Sequence, residues 1–349
     1  MLEVHCVGSP FEIQIGLEHG TKAKSQIQST IAFYTGLFQR KCNLTWQAAC
    51  TEAERFAAHI HEQYPHLENE MQGIAKGAET GYNEILALNV RSELFFGAAL
   101  DGCTSLSWKT DEASFVAQNW DWMEEQKENL VLLQIDQVGK PSIQMLTEAG
   151  MIGKIGLNSA GLGLCVNAIR CPGNDATRTP IHIMWRIVLE CTSLDSALEA
   201  IDATGCASAC HMLIADPSGS IGVEVTHQTI VRLEPDSKGR FFHSNHMLET
   251  HPGTEMLWVE DSLSRVERIR QLADQMQGDV TKESIQALLR DEDNYPCSIN
   301  RAQKGESDAA SVFSISMNLT TAEARVLLGR PSDPERMFLL RPRQVSYRG

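Results

Sequence analysis

With 349 residues, 42% hydrophobic and 21% charged, the chain has the composition of an ordinary globular protein, long enough for one large domain or two. A formal charge of −15 argues against a general binder of nucleic-acid backbone, which carries a basic footprint, but leaves room for an anionic substrate held by a few local cations. Ten cysteines are too sparse for a disulfide scaffold, residues 1–10 lack a basic leader and an apolar core, and no 18-residue apolar run exists. These features predict a reducing, intracellular setting and no membrane span.

Residues 11–15 alternate and lead into a glycine turn at Gly16 and Gly20. Residues 22–41 carry apolar side chains at helical spacing (Ile27, Ile31, Tyr34, Leu37, Phe38). A second helix is predicted over 45–64 with Thr45 as N-cap, a third over 67–82, and a fourth from Asn83 towards Phe96. Beyond residue 100 the period changes to that of strands: 114–122, 130–135, 143–147, 152–157 and 162–168, separated by glycine turns. Helices over 180–191 and 194–203 follow, the latter capped by Ser193. Strands over 211–215, 221–224 and 229–233 come next, then helices over 262–276 and 282–289, and last strands over 312–317, 323–328 and 337–340. Strand groups interrupted by helices predict two sheets covered by helices.

The stretch Asp101-Gly102-Cys103-Thr104-Ser105 sits where the helical third gives way to strands. One reading is self-cleavage between Gly102 and Cys103. Cys103 would then carry a thiol and a free α-amine, and that amine can take the thiol's proton. Glycine suits a bent, closely approached scissile bond. The other reading is a small buried cysteine in a turn. Asp121, eighteen residues on, can return on the next hairpin arm and hold the α-amine, or it can be a strand-end turn residue. Asn245 can aim a side-chain N–H at an oxyanion, or it can simply form a turn. Cys206, Cys210 and His211 lack zinc spacing, and no metal is expected. His59 and His61 point to different helix faces and are assigned to the surface. Dinucleotide, P-loop, H-E-x-x-H and G-x-S-x-G patterns are absent.

Whole phrases then carry a resemblance. They include Gly73-Ile74-Ala75-Lys76-Gly77-Ala78-Glu79, Asp101-Gly102-Cys103-Thr104, Gln118-Asn119-Trp120-Asp121, Thr147-Glu148-Ala149-Gly150, Ser244-Asn245-His246 and Asp291-Glu292-Asp293-Asn294-Tyr295-Pro296. Spread almost end to end, they resemble the fungal acyl-coenzyme A:6-aminopenicillanic acid acyltransferase (isopenicillin N acyltransferase) family. The resemblance implies an α+β fold, the N-terminal-nucleophile hydrolase αββα four-layer sandwich. It implies autocatalytic cleavage into associated chains, a helix-rich segment 1–102 and a catalytic segment 103–349. In these terms Cys103 is the nucleophile, Asp121 its partner and Asn245 an oxyanion donor, while Gly102, Cys103 and Ser105 serve self-cleavage. The implied activity is acyl transfer on a β-lactam or similar N-acyl amide, in penicillin biosynthesis, with acyl-CoA as co-substrate and no resident cofactor. The partners are then small molecules and the protein's own cleaved fragment, with no nucleic acid and no membrane. A plain amidohydrolase or peptidase, and a non-catalytic binding homologue, are the alternatives.

Three departures qualify the likeness. Asp308 stands where the penicillin enzyme carries an arginine, which would change the charge beside the site. The related bile-salt hydrolases carry an arginine that would fall near Asn119, so the resemblance does not extend to their substrate class. The terminal Tyr347-Arg348-Gly349 is not a peroxisomal signal, so the expected location is cytoplasmic.

Overall fold

A computed structural model describes residues 1–9, 12–95, 102–253 and 260–343. Among them the helices are α1 (Gln14–Lys22), α2 (Lys24–Cys42), α3 (Trp46–Ala53), α4 (Ala57–Gln63), α5 (Pro65–Ala78), α6 (Tyr82–Asn89) and α7 (Arg91–Leu94). Later in the chain come α8 (Ile181–Glu190), α9 (Leu194–Thr204), α10 (Ser262–Gln275) and α11 (Lys282–Leu288). The strands are β1 (Leu2–Gly8), β2 (Gly102–Lys109), β3 (Ser114–Trp122), β4 (Leu130–Gln137), β5 (Ile143–Glu148), β6 (Ile155–Asn158) and β7 (Gly163–Ala168). They continue with β8 (Cys210–Asp216), β9 (Gly219–Val225), β10 (Ile230–Leu233), β11 (Arg240–His243), β12 (Ala310–Asn318), β13 (Glu323–Leu328) and β14 (Arg336–Leu340).

Two sheets result. One has eight strands in the order β1-β4-β5-β6-β7-β8-β9-β10, the other six in the order β11-β2-β3-β12-β13-β14. They pack face to face through β2 and β3 against β7 and β8. A large core joins both sheets to the helices from α1 to α9 (Ile27, Phe38, Trp120, Leu164, Met184, Met212). A second apolar cluster (Leu106, Phe115, Phe242, Ile269, Ile285) lies on the outer face of the six-stranded sheet, under α10 and α11. The layer order is helix, sheet, sheet, helix, as expected.

Local chemistry explains most boundaries. Thr45 caps α3, its hydroxyl accepting from Ala48 N–H at 3.2 Å, and Ser193 caps α9. The single helix expected over 45–64 is instead α3, a 3₁₀ turn over Glu54–Phe56, and α4. The glycine turn expected at Gly16 and Gly20 is corrected: both lie inside α1, packed against α5. A Cβ on Gly16 would fall 1.8 Å from Glu70 O, and one on Gly73 2.3 Å from Ile13 O, so the two helices cross backbone to backbone. β1 was not anticipated; it runs parallel to β4 from Leu2 opposite Val131 to Gly8 opposite Gln137. Phe11, Phe96, Asp101 and Tyr347-Arg348-Gly349 lie outside the described residues. No helix among the described residues is long and apolar enough to cross a membrane.

His19 pins α1 to the sheet. It is fully buried, and its Nε2 accepts from the N–H of Gly150, a residue at φ +93° after β5. Burial, helped by Arg186, pulls its pKa down to about 4. In the unfolded chain an imidazole titrates near 6.5. As pH falls below that value the unfolded state takes the proton first. Stability present above pH ~6.5 is therefore lost on the way to pH ~4, by about 3 kcal/mol for this group. Denaturant unfolding of His19→Gln, whose amide oxygen can keep the Gly150 contact, should show a loss between neutral and acid pH smaller by about that amount. Equal acid losses in variant and wild type would remove His19 from the acid response.

Candidate active site

The β2–β3 hairpin builds the site. Gly102 pairs with Asp121, Cys103 with Trp120 and Thr104 with Asn119. Alternation sends odd-numbered side chains of β2 between the sheets and even-numbered ones towards α10. Ser105 Oγ accordingly donates to Asn167 Oδ1 on β7 at 2.7 Å, and Ser107 meets Ser220 on β9, also at 2.7 Å. Thr104 Oγ1 turns the other way and accepts from Arg265 Nη1 at 3.0 Å. Cys103, 1% exposed, faces the inter-sheet space.

Asp121 does return next to the Gly102–Cys103 bond, but on the opposite face of the sheet from the thiol. A Cβ on Gly102 would lie 2.8 Å from Asp121 Oδ2, so the carboxylate would have to shift to admit a side chain there. Asp121 Oδ1 accepts from Ser311 Oγ at 2.6 Å, and Oδ2 lies 3.6 Å from Arg301 Nε. Burial pushes this carboxyl up, against the pull of Arg301 and Arg265. The arrangement places Asp121 against the Gly102–Cys103 backbone.

Asn245 follows β11 and reaches the same point. Its Oδ1 accepts the Cys103 backbone N–H at 2.9 Å, and its Nδ2 donates to Ala168 O at 3.0 Å. One amide hydrogen remains beyond that bond. Ser244 Oγ donates to Cys103 O at 3.0 Å.

A residue the sequence reading missed ties these groups together. Arg265 on α10 is 2% exposed; it donates to Cys103 O at 2.7 Å, to Asn245 Oδ1 at 2.9 Å and to Asp261 Oδ1 at 2.8 Å. Asp261 also pairs with Arg301, so an alternating chain of charges runs from Asp121 through Arg301 and Asp261 to Arg265. A signal was present: Ser262, Arg265, Ile269 and Ala273 share one helical stripe, and an arginine on a buried stripe calls for a partner.

Cys103 opens onto a pocket whose walls include Arg91, Glu93, Trp120, Lys154 and Trp185. Lys154 Nζ sits 3.6 Å above the Trp120 ring and 2.5 Å from Glu148 Oε2, to which Arg91 Nη2 also donates at 3.0 Å. Burial alone would raise the Glu148 carboxyl, but Arg91, Lys154 and the Tyr34 hydroxyl outweigh it and hold it well below the usual range.

The remaining candidates lie elsewhere. Asp308 is exposed at the surface, 3.5 Å from Lys41, and does not line the Cys103 pocket, so its charge is not beside the site. Asn119 faces the outer layer, its Nδ2 donating to Leu289 O and Ile299 O. Cys206, Cys210 and His211 are fully buried, and His211 Nδ1 lies 2.9 Å from Asn167 Oδ1. His61 is exposed, whereas His59 is half-buried against Thr179.

Two facing sheets between helical layers, with a cysteine heading an inner-facing strand, define an N-terminal-nucleophile hydrolase type of fold. The structure of penicillin V acylase from Agrobacterium tumefaciens shares it, with a TM-score of 0.53 and 12% identity over 68% of this chain and 86% of that one. A mutant conjugated bile acid hydrolase from Clostridium perfringens gives a TM-score of 0.48 at 13% identity, over 68% of this chain and 92% of that one. Residues 108–333 match the family described as acyl-coenzyme A:6-aminopenicillanic acid acyl-transferase. The chain is also 39% identical over 347 residues to the acyl-coenzyme A:6-aminopenicillanic-acid-acyltransferase 40 kDa form of Emericella nidulans, covering 97% of this chain and 96% of that protein. The chain belongs to the acyl-coenzyme A:6-aminopenicillanic acid acyltransferase family and is an enzyme.

Proposed function

We propose that the chain matures by cutting its own Gly102–Cys103 bond. It then acts as a cysteine acyltransferase that exchanges or removes the acyl group of a β-lactam or similar amide, using acyl-CoA. The observation that carries this reading is the placement of Cys103. Its backbone nitrogen is held by Asn245, and its side chain faces a pocket between the sheets.

Once cut, the chain pairs a segment 1–102 with a segment 103–349. The α-amine of Cys103 takes the thiol proton, and sulfur attacks the acyl carbonyl. The second N–H of Asn245 faces the developing oxyanion. Amine or CoA leaves, and the resulting thioester passes its acyl group to the next amine. The plain amidohydrolase differs only in letting water take that group.

The test is incubation of purified protein with an acyl-CoA thioester and 6-aminopenicillanic acid, following free CoA and the acylated amine together. Equimolar release and acylation support transfer. CoA release without acylated amine assigns hydrolysis in place of transfer. Neither product, from a chain shown by intact mass to be cut, overturns the reading.

A further inference from the structure

The six-stranded sheet ends on an uncovered edge. β14 is its last strand, with β13 as its one strand neighbour among the described residues, and the outer helices lie over β2, β3, β11 and β12. Phe338 and Leu340 turn to the large core. Met337 and Leu339 turn the other way, and each is 55% exposed. An edge strand presents a row of backbone donors and acceptors to any strand that can lie beside it. With two apolar side chains left in water along it, this edge calls for an occupant.

The residues around the strand decide what fits. Alternation puts Glu335, Met337, Leu339 and Arg341 on one face. Opposite charges thus flank the apolar pair. Glu335, beside Lys127, is 50% exposed, and Arg341, beside Glu323, is 53% exposed, which leaves room for a second partner at each. A second copy laid antiparallel, with a two-fold axis at Phe338, sets Glu335 opposite Arg341 and Met337 opposite Leu339, each pairing occurring twice. Apolar side chains then meet apolar ones and charges meet opposite charges, the pairings that stabilise neighbouring strands. On the other face Phe338 meets its own copy, and the aliphatic stem of Arg336 lies along Leu340. Moving the axis by one residue loses this match. At Met337 it sets Glu335 opposite Leu339, and at Leu339 it sets Met337 opposite Arg341. Pro334 and Pro342 stand symmetrically about Phe338 and lack an N–H, so the pairing stops at them.

We propose that two copies of this chain pair through β14 in this register, joining their six-stranded sheets into one across a two-fold axis. The contact is self-complementary and closed, so it yields a dimer and not a filament. It is also short, so the dimer forms reversibly and comes apart on dilution. None of its residues lines the Cys103 pocket, and the pairing stands apart from the acyl-transfer reading.

Sedimentation velocity of the full chain over a concentration series should show two copies giving way to one on dilution. Leu339→Lys sets an ammonium opposite Met337 of the copy and should stay single throughout. Its melting temperature should match that of wild type, because the replaced side chain is already exposed. Charge reads the register. In its own dimer Glu335→Lys would meet Arg341 twice, and Arg341→Glu would meet Glu335 twice. Each variant alone should therefore associate on the order of tenfold more weakly than wild type. Mixed in equal amounts, the two present opposite charges to each other, and association should return towards the wild-type strength. Any clash with Lys127 or Glu323 is the same alone and in the mixture, so it cannot produce that recovery. A mixture no tighter than the single variants, or a dimer that Leu339→Lys leaves intact, overturns the inference. A full chain that stays single at every concentration overturns it too. Hydrogen exchange of residues 335–341 then names the occupant: slow exchange gives the edge to residues 344–349, and fast exchange leaves it to another protein.

Discussion

Replacing Cys103 with alanine is expected to leave the chain as one piece and to abolish turnover, whereas the wild type should give two fragments that separate on a denaturing gel. The proposed scheme uses that one sulfur twice. In maturation the thiol attacks the Gly102 carbonyl, the C–N bond to Cys103 breaks as the nitrogen takes a proton, and water then hydrolyses the thioester to leave a Gly102 carboxylate. In turnover the same sulfur attacks substrate, with the freed amine as base. Around this bond Gly102 lies against Asp121, and Arg265 and Ser244 hold the Cys103 carbonyl. A Cys103→Ser variant separates the two roles, since a hydroxyl can cut slowly yet is a poorer nucleophile at neutral pH. Wild-type protein that remains a single chain on prolonged incubation would falsify the maturation scheme.

Asn245→Ala is expected to behave differently in kind. It removes the proposed oxyanion donor and the acceptor of the Cys103 N–H, but leaves the thiol. The chemical step should slow by about 10²–10³-fold, the scale for one lost donor. Matured variant should still be alkylated at Cys103 by a thiol reagent. Thermal unfolding measured alongside kcat decides between this role and a purely structural one. An unchanged kcat with a lower melting temperature would take Asn245 out of the chemistry. Arg265 makes this a demanding comparison, because it loses a partner in the same variant and keeps, among the described residues, Cys103 O, Thr104 and Asp261.

Much of the architecture was legible because the hydrophobic period changes from helical to alternating near residue 102, and because caps such as Thr45 and Ser193 are written in local chemistry. The side on which Asp121 falls was not. All nine residues of β3 are buried, since the strand has a sheet on one face and helices on the other. Alternation therefore carries no contrast between a polar and an apolar face, and only register decides that Trp120, not Asp121, lies opposite Cys103. Gly16 and Gly20 were misread for a related reason. Glycine marks both turns and close backbone crossings, and only the presence of α5 alongside distinguishes them. Arg265 could not be assigned before the fold, because it gains its meaning from partners more than eighty residues away.

The parallel pairing of β1 with β4 has a consequence for molecularity. Before a cut at Gly102, the strand over Leu2–Gly8 and the rest of the eight-stranded sheet belong to one polymer, and folding is a first-order event. After it, the same sheet is shared between two polymers. A denatured sample must then reunite them at a rate set by concentration, with strand β1 and helices α1 to α7 on one side of the encounter. The mature enzyme would thus persist on the height of its unfolding barrier more than on its ability to refold, and dilution after unfolding would lose what the uncut chain recovers.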